Sequence, residues 1–166
     1  MCIRDRFGLG HKQEFEEFPS LAIGSYGDNL LNITNAYSTI NNNGKIHSPS
    51  ILEKIESLKK QTIWENKSIS KKILDLKINK KINQLLEKSV KEGTSKAAYI
   101  KGKKIYGKTG TSDGNKDLWF IGSIDNLTTG VWIGYDDNKE SELSSGNAAY
   151  LWKKFISEIY KIPIKK

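Results

Sequence analysis

Apolar positions along this chain fall into distinct rhythms, and each rhythm predicts an element. Leu30, Ile33, Tyr37 and Ile40 recur at spacings of three and four and predict a helix. Asp28 or Asn29 can cap its start, and Asn43-Gly44 closes it with a left-handed stop. Ile82, Leu85, Leu86, Ser89 and Val90 form a second helical stripe, with Asn79 as its expected cap and Gly93 as its stop. Residues 49–55 and 61–64 read as extended. Residues 66–77 are lysine-rich with scattered Ile69, Ile73 and Leu74, and favour no element. The Gly- and Phe-rich stretch before the first helix reads as a loop, with Pro19 to Ser25 entering a short buried piece.

Beyond Gly93 the period shortens to two. Ile105–Thr111, Trp119–Ile124 and Thr129–Tyr135 predict three strands, with turn chemistry at Asp125-Asn126 between the last two. Links this short make the set antiparallel. A last helix is expected over 147–160, where Ala148, Leu151, Trp152, Phe155, Ile156, Ile159 and Tyr160 make a broad apolar stripe that must lie on the sheet. The expected fold is therefore α+β, an antiparallel sheet with helices packed on it. Trp119, Phe120 and Trp132 are assigned to its core, and the tail from Pro163 is expected to fray.

A chain of 166 residues suits one domain with a real core. No apolar run reaches the length of a bilayer-spanning helix. The net charge of +8 reads as a solvated lysine-rich surface. Nucleic acid is not an expected partner, because Arg4 and Arg6 are the only arginines and the rest of the chain has no guanidinium to fork onto a base or phosphate. The single Cys2 and single Met1 sit in the same opening segment. Residues 1–6 are accordingly expected to be a foreign scar, with the native chain starting upstream. A lone cysteine permits no disulfide framework within the chain.

Candidate chemistry concentrates in Tyr106-Gly107-Lys108-Thr109-Gly110-Thr111, followed by Asp117-Leu118-Trp119-Phe120. Lysine supplies a point charge, and glycine lets a ligand approach the main chain. Such a strand can bind a carboxylate and offer a backbone N–H to a developing oxyanion. Asp113, Asp117, Asp136 and Asp137 read as solvated turn residues, and Glu16-Glu17 as a solvated pair. His11 and His47 lack metal-ligand spacing, so neither a metal nor another cofactor is expected.

In these stretches the chain resembles the penicillin-binding transpeptidase family, specifically its bifunctional class A type. Leu21-Ala22-Ile23-Gly24-Ser25, Asn35-Ala36-Tyr37 and Asn43-Gly44-Lys45 match the family's helix region. Glu92-Gly93-Thr94 with Ala97-Ala98 matches the segment before the active-site strand. Gly107-Lys108-Thr109-Gly110-Thr111 with Asp117-Leu118-Trp119-Phe120-Ile121-Gly122 matches that strand and its partner, and Thr129 to Asp136 matches the next. On this resemblance residues 7–162 are the C-terminal portion of the transpeptidase domain, and 163–166 a basic tail.

The resemblance implies a serine acyltransferase of peptidoglycan stem peptides that β-lactams trap. It also implies an upstream glycosyltransferase domain, and a missing N-terminal anchor that holds the protein at the periplasmic face of the cytoplasmic membrane. Of the family's three motifs only Lys-Thr-Gly is present. Ser68-Ile69-Ser70-Lys71 matches Ser-x-x-Lys by letter, but it lies too late in the chain and is read as chance. The 166 residues alone are thus expected to be inactive. The resemblance assigns Lys108 to proton balance and carboxylate attraction, and the Thr109 and Thr111 hydroxyls to that carboxylate. Gly110 keeps the strand bare, and the Thr111 backbone N–H is one oxyanion donor. The rival readings are a non-catalytic wall-binding remnant and a monofunctional transpeptidase or β-lactamase.

Overall fold

The computed structural model describes residues 3–10, 19, 24 and 27–163. His11, Glu16-Glu17, most of the Pro19–Ser25 loop and the last three residues of the basic tail lie outside the described residues.

A single helical turn, α1 (Ile3–Arg6), precedes α2 (Leu30–Asn41), whose cap is Asn29: its side chain accepts from Asn32 N at 2.8 Å. Two small antiparallel ribbons follow. One pairs β1 (Lys45–Ile46) with β4 (Lys71–Lys72), and the other pairs β2 (Lys54–Glu56) with β3 (Thr62–Glu65). Helix α3 (Leu76–Glu92) then leads into the main sheet of β5 (Ile105–Thr111), β6 (Asp117–Ile124) and β7 (Leu127–Gly134), antiparallel in the order β5-β6-β7. Helix α4 (Ser145–Ile159) closes the chain's described part. The mixed helix and antiparallel-sheet architecture agrees with the expected α+β class.

Cross-strand pairing sorts the side chains. Ile105, Gly107 and Thr109 of β5 stand opposite Ile124, Gly122 and Phe120 of β6, and this face receives α4. Trp152, Ile156, Ala148 and Ala149 bury completely there, with Phe120 meeting Trp152 edge-on at 5.3 Å between ring centroids. Lys108 and Gly110 stand opposite Ile121 and Trp119 on the other face, which carries α2. There Gly130 admits α2 closely: a Cβ on it would sit 2.8 Å from Leu30 Cδ1.

Several expectations are corrected. Asn79 does not cap α3. Asp75 does, accepting from Lys77 N at 2.8 Å, while Asn79 is 1% exposed and donates through Nδ2 to Ile40 O, satisfying a carbonyl near the end of α2. A buried amide reads like a cap in sequence because both roles need a short polar side chain. Gly93 does end α3, but at φ −102, outside the left-handed region. It is needed because a Cβ would stand 3.0 Å from the Ser89 backbone. Trp132 is not core: it is 37% exposed on β7. Leu151, Phe155 and Ile159 of the α4 stripe are about half exposed, so α4 buries a narrower face than its stripe offers. β7 begins at Leu127, straight after the Asp125-Asn126 turn, where Asp125 has φ 48. α4 begins earlier than expected, because the Ser144 N–H donates to Asn147 Oδ1 at 2.9 Å in a capping box.

Trp152→Ala removes the largest fully buried side chain and leaves a cavity under Phe120. The expected cost is about 3–5 kcal/mol of unfolding free energy, read by chemical denaturation.

Candidate active site

The site follows from β5 being an edge strand. An antiparallel strand alternates residues whose N–H and C=O face its partner with residues whose groups face away. Thr109 faces away: its N–H donates to Ser95 Oγ at 3.1 Å and its carbonyl accepts from Lys108 Nζ at 2.9 Å. Two residues on, the same alternation turns the Thr111 N–H and C=O to the open edge. Gly110, between them, pairs with Trp119 of β6 and presents no side chain to the space in front.

That space is a groove of about 450 Å³. One wall is Lys108, Thr109, Gly110, Thr111, Trp119 and Ile121, and the other is α2 and its approach through Gly27, Asp28, Ile33 and Tyr37. Lys108, Thr109, Gly110 and Thr111, all named from sequence, therefore come together on one wall. Thr111 is exposed, Gly110 half-buried, and Thr109 only 7% exposed, with its hydroxyl 2.8 Å from Thr94 Oγ1. Burial pushes the Tyr37 phenol above its ordinary range, so it stays a neutral hydroxyl.

Lysine 108 has no carboxylate within ion-pair distance among the described residues. Its ammonium is instead held by oxygens: Thr109 O at 2.9 Å, Thr94 Oγ1 at 3.3 Å and Thr109 Oγ1 at 3.4 Å. The groove's two acids are engaged elsewhere. Asp28 accepts from Gly10 N, Asn29 N and Asn32 Nδ2 at 2.7–2.9 Å. Asp117 accepts from Trp132 Nε1 at 2.9 Å and from Ser112 Oγ at 3.0 Å. The expectation that Asp117 is a solvated turn residue is thus corrected, and so is the core assignment of Trp119, which lies half-buried in the groove wall.

Thr94 was named only within the segment that precedes the active-site strand, and no role was expected of it, of Ser95 or of Ser112. Thr94-Ser95 follow the helix stop as adjacent hydroxyls, a second signal beside that segment match. Ser68 stands apart: it bonds His47 Nδ1 at 2.9 Å on exposed chain beside the β1–β4 ribbon and does not line the groove. Among the described residues no cluster of His, Cys, Asp and Glu is suited to hold a metal.

Residues 7–156 match the family described as the penicillin binding protein transpeptidase domain. Penicillin-binding protein 4 of Bacillus subtilis is 32% identical over 143 residues, which take in 84% of this chain and 23% of the relative. The crystal structure of penicillin-binding protein 1A from Haemophilus influenzae superposes with a TM-score of 0.80 at 20% identity, covering 98% of this chain and 31% of that one. PonA1 from Mycobacterium tuberculosis, solved in complex with penicillin V, gives a TM-score of 0.75 at 20% identity over 89% of this chain and 42% of that one. The chain thus spans less than a quarter of the length of the curated relatives it matches, and about a third to two fifths of these two solved chains.

Asp117 closes the turn that follows β5 and anchors Trp132. Asp117→Ala is expected to destabilise the fold by about 1.5–3 kcal/mol, since it removes charged hydrogen bonds. Denaturation, followed by tryptophan fluorescence, reads this.

Proposed function

The chain belongs to the penicillin-binding protein transpeptidase domain family, of the class A type, and from that premise we propose that it forms the carboxylate-binding wall of a peptidoglycan D,D-transpeptidase site. One observation supports the reading most: Lys108 and Thr111 line one groove wall together with Gly110, which adds no side chain to it, and strand alternation turns the Thr111 main chain away from β6.

In the proposed reaction a serine supplied by chain outside these residues attacks the carbonyl of the penultimate D-alanine of a stem peptide. The carbonyl oxygen becomes an oxyanion, and the Thr111 N–H donates to it. The C–N bond breaks, D-alanine leaves with a proton on its amine, and an acyl-serine ester remains. An amine on a neighbouring strand then attacks the ester, giving the cross-link and returning the serine its proton; water in its place gives carboxypeptidase action. Lys108 attracts the substrate's terminal carboxylate, the Thr109 and Thr111 hydroxyls bind it, and Gly110 leaves room for the acyl chain. β-Lactams acylate the same serine and stay.

The proposal places this chemistry on the outer side of the cytoplasmic membrane, in a protein with an upstream glycosyltransferase domain and a membrane anchor. No described helix is long and apolar enough to cross a membrane.

A fluorescent penicillin tests this on the protein extended through its upstream sequence. Covalent labelling is expected, and its absence overturns the reading in favour of a binding remnant. Lys108→Ala is expected to slow labelling by at least about 10²-fold with the fold intact. Ser68→Ala is expected to label at the unmodified rate, because that serine faces away from the chemistry.

A further inference from the structure

Resting on the transpeptidase reading, we propose that Thr94 is a positioning residue that sets where the Lys108 ammonium stands. Lys108 lies on an exposed strand edge, on a four-carbon stem with no acidic partner among the described residues. Two of the three oxygens around Nζ belong to Thr109, the next residue on the same strand, and move with it. Thr94 Oγ1, at 3.3 Å, is the one oxygen in this set contributed by another part of the fold. It alone refers the ammonium to the body of the domain.

An ammonium only donates, so Thr94 Oγ1 accepts from Nζ. Its own O–H is then free to donate to Thr109 Oγ1, 2.8 Å away. Thr109 Oγ1 accepts from Nζ as well, at 3.4 Å, so the two hydroxyls and the ammonium form one closed set in which either hydroxyl can donate to the other.

Thr94 is itself fixed. Gly93 ends α3 against Ser89, and Ser95, the residue after Thr94, bonds Ser89 twice, N to O at 3.2 Å and Oγ to Oγ at 2.9 Å. Ser95 Oγ also receives the Thr109 N–H at 3.1 Å, and Ser95 is fully buried. The turn and the strand are thus pinned to each other at the main chain, and Thr94 reaches across from that pin to the lysine. A displacement of about 1 Å in a reacting constellation costs on the order of 10²-fold in rate, so a free ammonium would be felt in the acylation step.

The test uses the extended protein and a chromogenic penicillin at saturating concentration, comparing wild type with Thr94→Val, Thr94→Ser and Thr94→Ala. Valine keeps the shape and removes the hydroxyl; alanine is the substitute if valine does not fold, as judged by thermal unfolding. The expected result is a limiting acylation rate lowered about tenfold to a hundredfold in the valine or alanine protein, with serine restoring it to within about threefold of wild type. A wild-type limiting rate in the valine or alanine protein, or a serine protein as slow as valine, overturns the positioning role while the transpeptidase reading stands. A wild-type protein that is never acylated overturns the transpeptidase reading, and this inference with it.

Discussion

Phe120 lies across two glycines, and that contact governs how near the last helix comes to the sheet. A Cβ on Gly107 would stand 2.5 Å from the Phe120 ring. One on Gly122 would stand 2.6 Å from Phe120 and from Trp152 alike. Interiors are packed to crystal-like density, so neither methyl could be absorbed without moving a ring. Gly107 immediately precedes Lys108. The bare backbone that seats the core is therefore continuous with the one that faces the groove, and a shift in Phe120 would be passed directly to the lysine-bearing strand.

The groove's electrostatics depend on what its acids are doing. Asp28 and Asp117 both line it, yet each carboxylate spends its acceptor capacity inside the protein, one closing the start of α2 and the other the turn after β5. Neither is aimed at Lys108. An anionic ligand entering the groove meets a cation held by neutral oxygens, and its own charge does not have to displace a resident carboxylate. The net charge of the whole chain adds a favourable long-range field to that local arrangement.

Much of this was legible in the chain itself. The three strands and their antiparallel order follow from period-two alternation and short links, and the β5 limits agree with the structure residue for residue. Features set by distant contacts were not legible. Asn79 looks like a cap until α2 is beside it, and Trp132 looks like core until β7 is seen at the edge of the sheet the described residues form, with the Trp132 indole N–H donated to Asp117. In the site, the lysine, both threonines and the glycine stand together because they are consecutive on one strand. Trp119 as a groove wall and Thr94 as a partner of the Lys108 ammonium were not legible, because their relation to Lys108 exists only after α3 and β6 have folded against β5.

The prior engagement of Thr109 has a consequence for anything that lies along β5. An extended chain joining that edge cannot use the Thr109 N–H, which Ser95 already holds, nor take its carbonyl without competing with the lysine. One pleat further on, alternation turns the Thr111 main-chain pair to the same edge, with no such partner among the described residues. A partner sliding by one pleat from Thr111 to Thr109 would find that rung already held. Alignment of an incoming peptide is decided by which rungs are missing, before any side chain is read.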